Sequence, residues 1–327
     1  MRKLWLRILA GIVISGAVTA GILEAAIRVF HLIPDDIPLT YHAVPGDEAY
    51  APDPNVSGRS ILGVLQRTNS LGLRGAERPL GRNPGRIRVA VVGDSVVWGY
   101  GIAEEDAIPA SLERLGADAG LQLDAWNLGV VGYNTYNEKA KYARLAPLLW
   151  PDVTIVVVLF NDLQPVAQYF RITSVGTLAD PRRHAPYPDE WRPILAKSAL
   201  FQAAILLYWR LVPPDGDTEP FSLASLPAVT GQLEEIRVTA DALGSKLIVA
   251  AMPSAWPDAA QFAVLTKGLR ELCQQHQVAF VDLSSILGAP ARREYLLPSD
   301  PIHPNAEGAR LIAEALLPQV AAASKPR

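Results

Sequence analysis

The chain of 327 residues contains one cysteine and five histidines, and it has no basic stripe beyond its first seven residues. A single thiol, Cys273 in an expected helix, excludes an intrachain disulfide and leaves the redox compartment open. The histidines are scattered. His31 and His42 fall in an irregular lead-in, His184 in an irregular middle stretch and His276 on a surface-like helix, which leaves only His303 beside a carboxylate at short spacing. Such a distribution lacks the ligands of a metal site, so it argues against the metal-dependent phosphoesterase that Gly93-Asp94 and Asn161-Asp162 would otherwise suggest. No glycine-rich loop with a lysine is present to cradle phosphate, and no internal repeat is evident. Net charge of -3 and a pI near 6.0 give no electrostatic footprint for nucleic acid. No cofactor and no nucleic-acid partner are expected.

Apolar length is what the chain has in abundance. Hydrophobic residues make up 50% of it and charged residues 19%, ample for a sizeable core. Residues 1–7 carry three positive charges, and the following Ile8 to Ile27 holds one ionisable residue, Glu24. At about 1.5 Å per residue this stretch is long enough to cross a hydrocarbon core of about 30 Å. Basic residues precede it, and Asp35 and Asp36 follow soon after. By the positive-inside rule the N-terminus is then cytoplasmic, residues 1–33 anchor the chain in the inner membrane, and the bulk is periplasmic or extracellular. A signal peptide cleaved near Val18-Thr19-Ala20 is the rival, giving a secreted protein. The apolar stretch runs on past that point with no nearby cysteine for a lipid, which favours an uncleaved anchor. Glu24 and Arg28, four apart, are placed to pair near the outer interface.

Residues 34–85 are rich in Pro, Gly, Asp and Asn without sustained period, and read as a linker and irregular lead-in. Within it Asn69 to Gly75 is more ordered. Arg74 is a candidate to dock on the domain, although spacing alone favours a solvated turn. From residue 86 to 323 strand and helix signals alternate. Strands are expected at Arg88–Val92, Leu123–Gly129, Val153–Phe160, Lys246–Ala251 and Val278–Leu283. Helices are expected near Glu104–Leu115, Asn137–Leu149, Pro227–Leu243, Ala259–Gln275 and from Pro304 to about Ala321. Continuous β-branched runs such as Val153 to Val158 belong at the centre of a parallel sheet, so a three-layer α/β/α sandwich is expected. Residues 163–226 break the rhythm as an insertion or lid. Asp180 to Arg183 and Pro213 to Asp217 read as loop, and Ala196–Leu211 as an apolar helix too short to span a bilayer, which caps the domain, borders a groove or rests on the membrane.

The first strand breaks at Gly93-Asp94-Ser95. A serine at the carboxyl end of such a strand lies where open α/β sheets place their ligands, which makes Ser95 a candidate nucleophile. Asp300-Pro301-Ile302-His303 supplies a carboxylate and an imidazole three residues apart, with Pro301 and Pro304 stiffening the turn. An acyl-transfer triad needs a base for the serine proton and a carboxylate to fix that base's tautomer. It also needs donors for an oxyanion. The Gly132 N–H follows the second strand and the Asn161 side-chain amide follows the third, so all four candidates fall at carboxyl ends of strands.

At these residues the chain resembles the GDSL-type lipases and esterases, the SGNH hydrolase superfamily. The four blocks appear as Gly93-Asp94-Ser95, Asn127 to Gly132, Asn161-Asp162 and Asp300 to His303, and the resemblance covers about Arg86 to Leu317. It implies a flavodoxin-like five-stranded sheet of order 2-1-3-4-5. It also implies Ser95 as nucleophile, His303 as general base, Asp300 as its orienting acid, and an oxyanion hole of the Ser95 N–H, Gly132 and Asn161. The anchor and the Asn69 to Gly75 stretch look like those of membrane-anchored bacterial members. Two departures stand out. Leu159 occupies a position often held by glycine, and Val96-Val97 follows the serine where Leu or Ile is usual. The Gly-x-Ser-x-Gly elbow of α/β-hydrolases is absent, because Val97 stands where its last glycine is needed. The expected activity is hydrolysis of carboxylic esters through an acyl-serine, with acetyl or other short acyl groups favoured by envelope location and family analogy. The alternatives are O-acyl transfer on an envelope polysaccharide and a non-catalytic glycan-binding role. The expected partner is an ester-bearing small molecule, lipid or glycan.

Overall fold

A computed structural model describes residues 2–324 except 31, 33–38, 61, 82–83, 165–169, 174–175, 180–185, 196, 213–221, 254–258, 288–289, 299 and 301. Pro34, the two loops of the insertion and Pro301 therefore lie outside the described residues. Helix α1 spans Arg2–Val29. Strands β1 (Ile87–Val92), β2 (Leu123–Asn127), β3 (Val153–Val158), β4 (Lys246–Ala251) and β5 (Ala279–Asp282) then form one parallel sheet in the order 2-1-3-4-5. The fold is the expected α/β sandwich.

Alternation within the strands decides which helix lies where. Ala90, Val92, Val156, Val158, Val249 and Ala251 point to one face, where they meet helices α3 (Thr135–Leu149), α5 (Leu226–Ala242) and α6 (Ala259–His276). Val89, Val91, Ile155, Val157, Ile248 and Ala250 point to the other, against α2 (Ile108–Asp118) and α7 (Ala306–Ala323). Helix α4 (Ala199–Leu211) belongs to the insertion, and Cys273 lies buried within α6.

Several boundaries differ from the sequence reading for local reasons. Pro109 sits in the first turn of α2, so that helix starts at Ile108 and the acidic Glu104–Asp106 forms a separate 3-10 turn before it. Strand β2 stops at Asn127 because that side chain turns inward, donating to the carbonyls of Val97 and Trp98 and accepting from Gly129 N–H. Helix α7 begins after Asn305, whose Oδ1 caps Gly308 N–H, while Pro304 pairs with Leu296 in a bridge.

The lead-in folds onto the domain. Tyr41–Ala43 pairs with Tyr50–Pro52, and Ser57–Arg59 with Leu65–Arg67, as antiparallel ladders. Strands of three residues carry no readable period, which is why the stretch reads as irregular in sequence. Tyr50 is fully buried against Tyr133 and donates from Oη to the Val131 carbonyl, beside the loop that carries Gly132. Arg74 is 4% exposed, against the solvated turn that spacing favours. Its guanidinium donates to the carbonyls of Trp98, Gly99 and Ile102 at 2.6, 2.5 and 2.7 Å. Burial pushes its pKa down to about 10, so it keeps its charge at neutral pH and clamps the turn behind Ser95.

Candidate active site

Residues Ser95–Trp98 form a single helical turn at the carboxyl end of β1. Asp94 caps it, its Oδ1 accepting the Val96 N–H at 2.8 Å. The cap orients Ser95 at the start of the turn, 8% exposed. From the opposite end of the sheet's sequence, the segment before α7 brings His303 to it: Nε2 lies 2.8 Å from Ser95 Oγ and Nδ1 lies 2.7 Å from Asp300 Oδ2. Asp300 Oδ1 accepts the N–H groups of Ile302 and His303 at 2.8 and 3.0 Å, which fixes the carboxylate in the plane of its own turn. Burial works to raise the Asp300 pKa, but the His303 hydrogen bond and charge, together with those two N–H groups, hold it below the usual carboxylate value. An ionised Asp300 accepts from Nδ1–H, leaving the Nε2 lone pair toward the serine hydroxyl. Tyr100 lies against the imidazole, ring centroids 4.5 Å apart.

Of the two expected oxyanion donors, Asn161 reaches Asp94, the residue before Ser95, and Gly132 packs against Phe170 and Tyr50. Gly132 has φ +79, a backbone conformation that disfavours side chains, and a Cβ there would overlap the Phe170 ring. Among the described residues, no acceptor takes the N–H of Ser95 or of Gly132. Asn161 Nδ2 donates to Asp94 Oδ2 at 2.7 Å and to the Tyr133 carbonyl at 3.0 Å. Leu159 is turned into the apolar layer with Val96 and Val97.

Three acidic residues here have no catalytic role in the sequence reading, where Asp94 and Asp162 figure only as discounted metal ligands and block members and Glu138 not at all. Asp94 links the turn that carries Ser95 to Asn161, 67 residues away, a contact that only the fold creates. Asp162 and Glu138 lie fully buried behind it. Burial first, then the Asp94 charge, pushes Asp162 well above its ordinary value, although its Oδ2 accepts the Leu159 N–H at 2.7 Å. Glu138 is pushed well above its own by burial, then by the charges of Asp162 and Asp94.

A family model described as the GDSL-like Lipase/Acylhydrolase family matches residues 91–311. No curated protein matches the chain. Among solved structures, that of TesA is similar at 14% identity and a TM-score of 0.48, covering 72% of this chain and 99% of that one. The lipase/acylhydrolase from Enterococcus faecalis is 15% identical with a TM-score of 0.48, covering 74% and 98%. The Clostridium thermocellum family 3 carbohydrate esterase is 17% identical with a TM-score of 0.45, covering 73% and 100%.

Proposed function

The chain belongs to the GDSL-like lipase and acylhydrolase family, enzymes that hydrolyse carboxylic esters, and on that premise we propose that it works through an acyl-serine on Ser95. The hydrogen-bonded chain from Ser95 Oγ through the His303 ring to Asp300 supports this most directly. His303 Nε2 takes the hydroxyl proton as Oγ attacks the ester carbonyl, and Asp300 stabilises the imidazolium. The N–H groups of Ser95 and Gly132, unengaged among the described residues, receive the oxyanion together with Asn161. Asn161 exchanges its longer bond to the neutral Tyr133 carbonyl for the charged oxygen, while Asp94 keeps the amide oriented. His303 then returns its proton to the leaving alkoxide. In the second half it deprotonates a water that attacks the acyl-enzyme, releasing the carboxylate and restoring the serine hydroxyl.

A fluorophosphonate probe tests this assignment. Peptide mass spectrometry is expected to find the adduct on Ser95 and none in Ser95→Ala; an adduct on another serine overturns it. Asn161→Ala is expected to lower kcat on p-nitrophenyl acetate by about 10²–10³-fold with KM nearly unchanged, since the lost donor acts on charge that exists only in the transition state. Steady-state kinetics on both proteins reads the split.

The substrate we assign is a short-chain acyl ester, such as an acetyl ester. Phe170, from the insertion, closes the side of Gly132, so the acyl group lies against an aromatic wall. Phe170→Ala is expected to shift the ratio of kcat/KM for hexanoyl over acetyl esters upward by about 10-fold, the scale of a pocket that gains room for methylenes. A series of p-nitrophenyl esters measures it.

Helix α1 is long and apolar enough, over Lys3–Val29, to cross a membrane. We read it as an uncleaved anchor with the basic end cytoplasmic and residues 86–323 as the hydrolase domain outside the inner membrane. The charge asymmetry across the span supports that orientation.

A further inference from the structure

We propose that α4 and the turn before it form a second membrane-seated element, docked on the outer end of α1 with one apolar face toward lipid. This rests on the anchor reading of α1. The observation that carries it is the use made of Glu24, the one ionisable residue of the apolar span. Its Oε2 accepts from Ser198 Oγ at 2.9 Å and Leu200 N–H at 2.8 Å, and its Oε1 accepts from Ala199 N–H at 3.0 Å and Arg28 Nε at 2.7 Å. Arg28 also donates to the Lys197 carbonyl. A carboxylate in an apolar span is costly unless it is partnered, and here the N-terminus of a neighbouring helix partners it.

That cap fixes the depth of α4. Glu24 lies five residues before the end of the span at Val29, about 7.5 Å along the helix, so α4 starts near the boundary between hydrocarbon and headgroups. Its 13 residues reach about 20 Å, too short to cross. Ala199 and Ile205 are buried, whereas Leu207 and Leu211, four apart on one side, are 57% and 72% exposed. Trp191 and Ile194 are exposed in the turn before α4, as are Val29 and Phe30 at the end of the anchor. So much apolar surface around the exit of a membrane span matches the lipid boundary in which that span sits. The chain is thereby seated in the membrane at two points.

The test uses the full chain reconstituted in vesicles of phosphatidylethanolamine and phosphatidylglycerol that carry lipids spin-labelled on the acyl chain. A fluorophore is placed in turn at Leu211→Cys on α4, Ile14→Cys in the anchor and Val238→Cys on α5; Cys273 is buried. Quenching at Leu211 is expected to approach that at Ile14 and to exceed that at Val238 severalfold. Quenching at Leu211 no greater than at Val238, with Ile14 quenched, overturns the proposal and leaves the anchor standing. No quenching at Ile14 removes the anchor, and the proposal with it. Adding Glu24→Ala is expected to bring Leu211 down to the Val238 level while Ile14 stays quenched; unchanged quenching at Leu211 overturns the role given to Glu24.

Discussion

Replacing Ser95 with alanine is expected to lower kcat on p-nitrophenyl acetate by about 10⁵–10⁶-fold, and His303→Ala by a similar factor, because each removes one end of the same proton-transfer step. The Ser95→Ala site keeps the Gly132 and Asn161 donors and binds ester, yet it lacks the oxygen that attacks. The His303→Ala site keeps that oxygen but leaves it a neutral hydroxyl. Two groups acting as a unit are not additive, so the double variant is expected to be no slower than either single one. Both side chains are small contributors to the core. Ser95 is the first residue of its turn, and the turn is held by Asp94, Asn127 and Arg74 rather than by Oγ. Denaturant midpoints are therefore expected to stay close to wild type. Turnover in Ser95→Ala within a factor of ten of wild type across a series of acyl lengths overturns the assignment of this site.

The parts of this structure that are legible in sequence share a physical property: their signal is local. The β-branched run Val153 to Val158 reads as a central strand because both of its faces are covered, and it is buried throughout. Ser95, His303 and Asn161 are expected near one another because a parallel sheet brings the carboxyl ends of its strands to one edge, and there His303 reaches Ser95 and Asn161 reaches Asp94. Asp300 and His303 are legible because three residues separate them. What the sequence conceals is contact between distant segments. Asn161 is an oriented amide only because Asp94 faces it across 67 positions. Glu138 is a helix carboxylate that lies 1% exposed, with Asp162 and Asp94 near enough for their charges to push its pKa further up. Arg74 resembles a turn residue until the carbonyls of Trp98, Gly99 and Ile102 are placed around it. Glu24 is an anomaly in an apolar span until Ser198, 174 residues on, and the N-terminus of α4 donate to its carboxylate. Tyr100 shows no pattern at all that would pair it with His303.

Asp300→Asn is expected to lower kcat by about 10⁴-fold, through the tautomer of His303 rather than through its position. Asp300 uses its two oxygens differently: Oδ1 accepts the N–H groups of Ile302 and His303, and Oδ2 accepts from His303 Nδ1. The asparagine carbonyl can retain the first pair of bonds, which directs the amide NH2 at Nδ1. Nδ1 must then accept, the ring proton moves to Nε2, and the atom facing Ser95 Oγ is a donor that cannot take the serine proton. The ring stays in place, so KM is expected to change little while kcat falls. The same substitution has a separate signature in stability. The pKa of folded Asp300 lies below its ordinary value, so its charge contributes stability above the unfolded carboxylate pKa, and that contribution is lost as pH falls through the folded pKa. Asp300→Asn is therefore expected to be less stable than wild type at neutral pH and to converge with it in acid. Urea midpoints taken from neutral to strongly acidic pH, beside kcat at neutral pH, separate the two effects. A loss of activity that came from displacement of His303 would raise KM together with the fall in kcat.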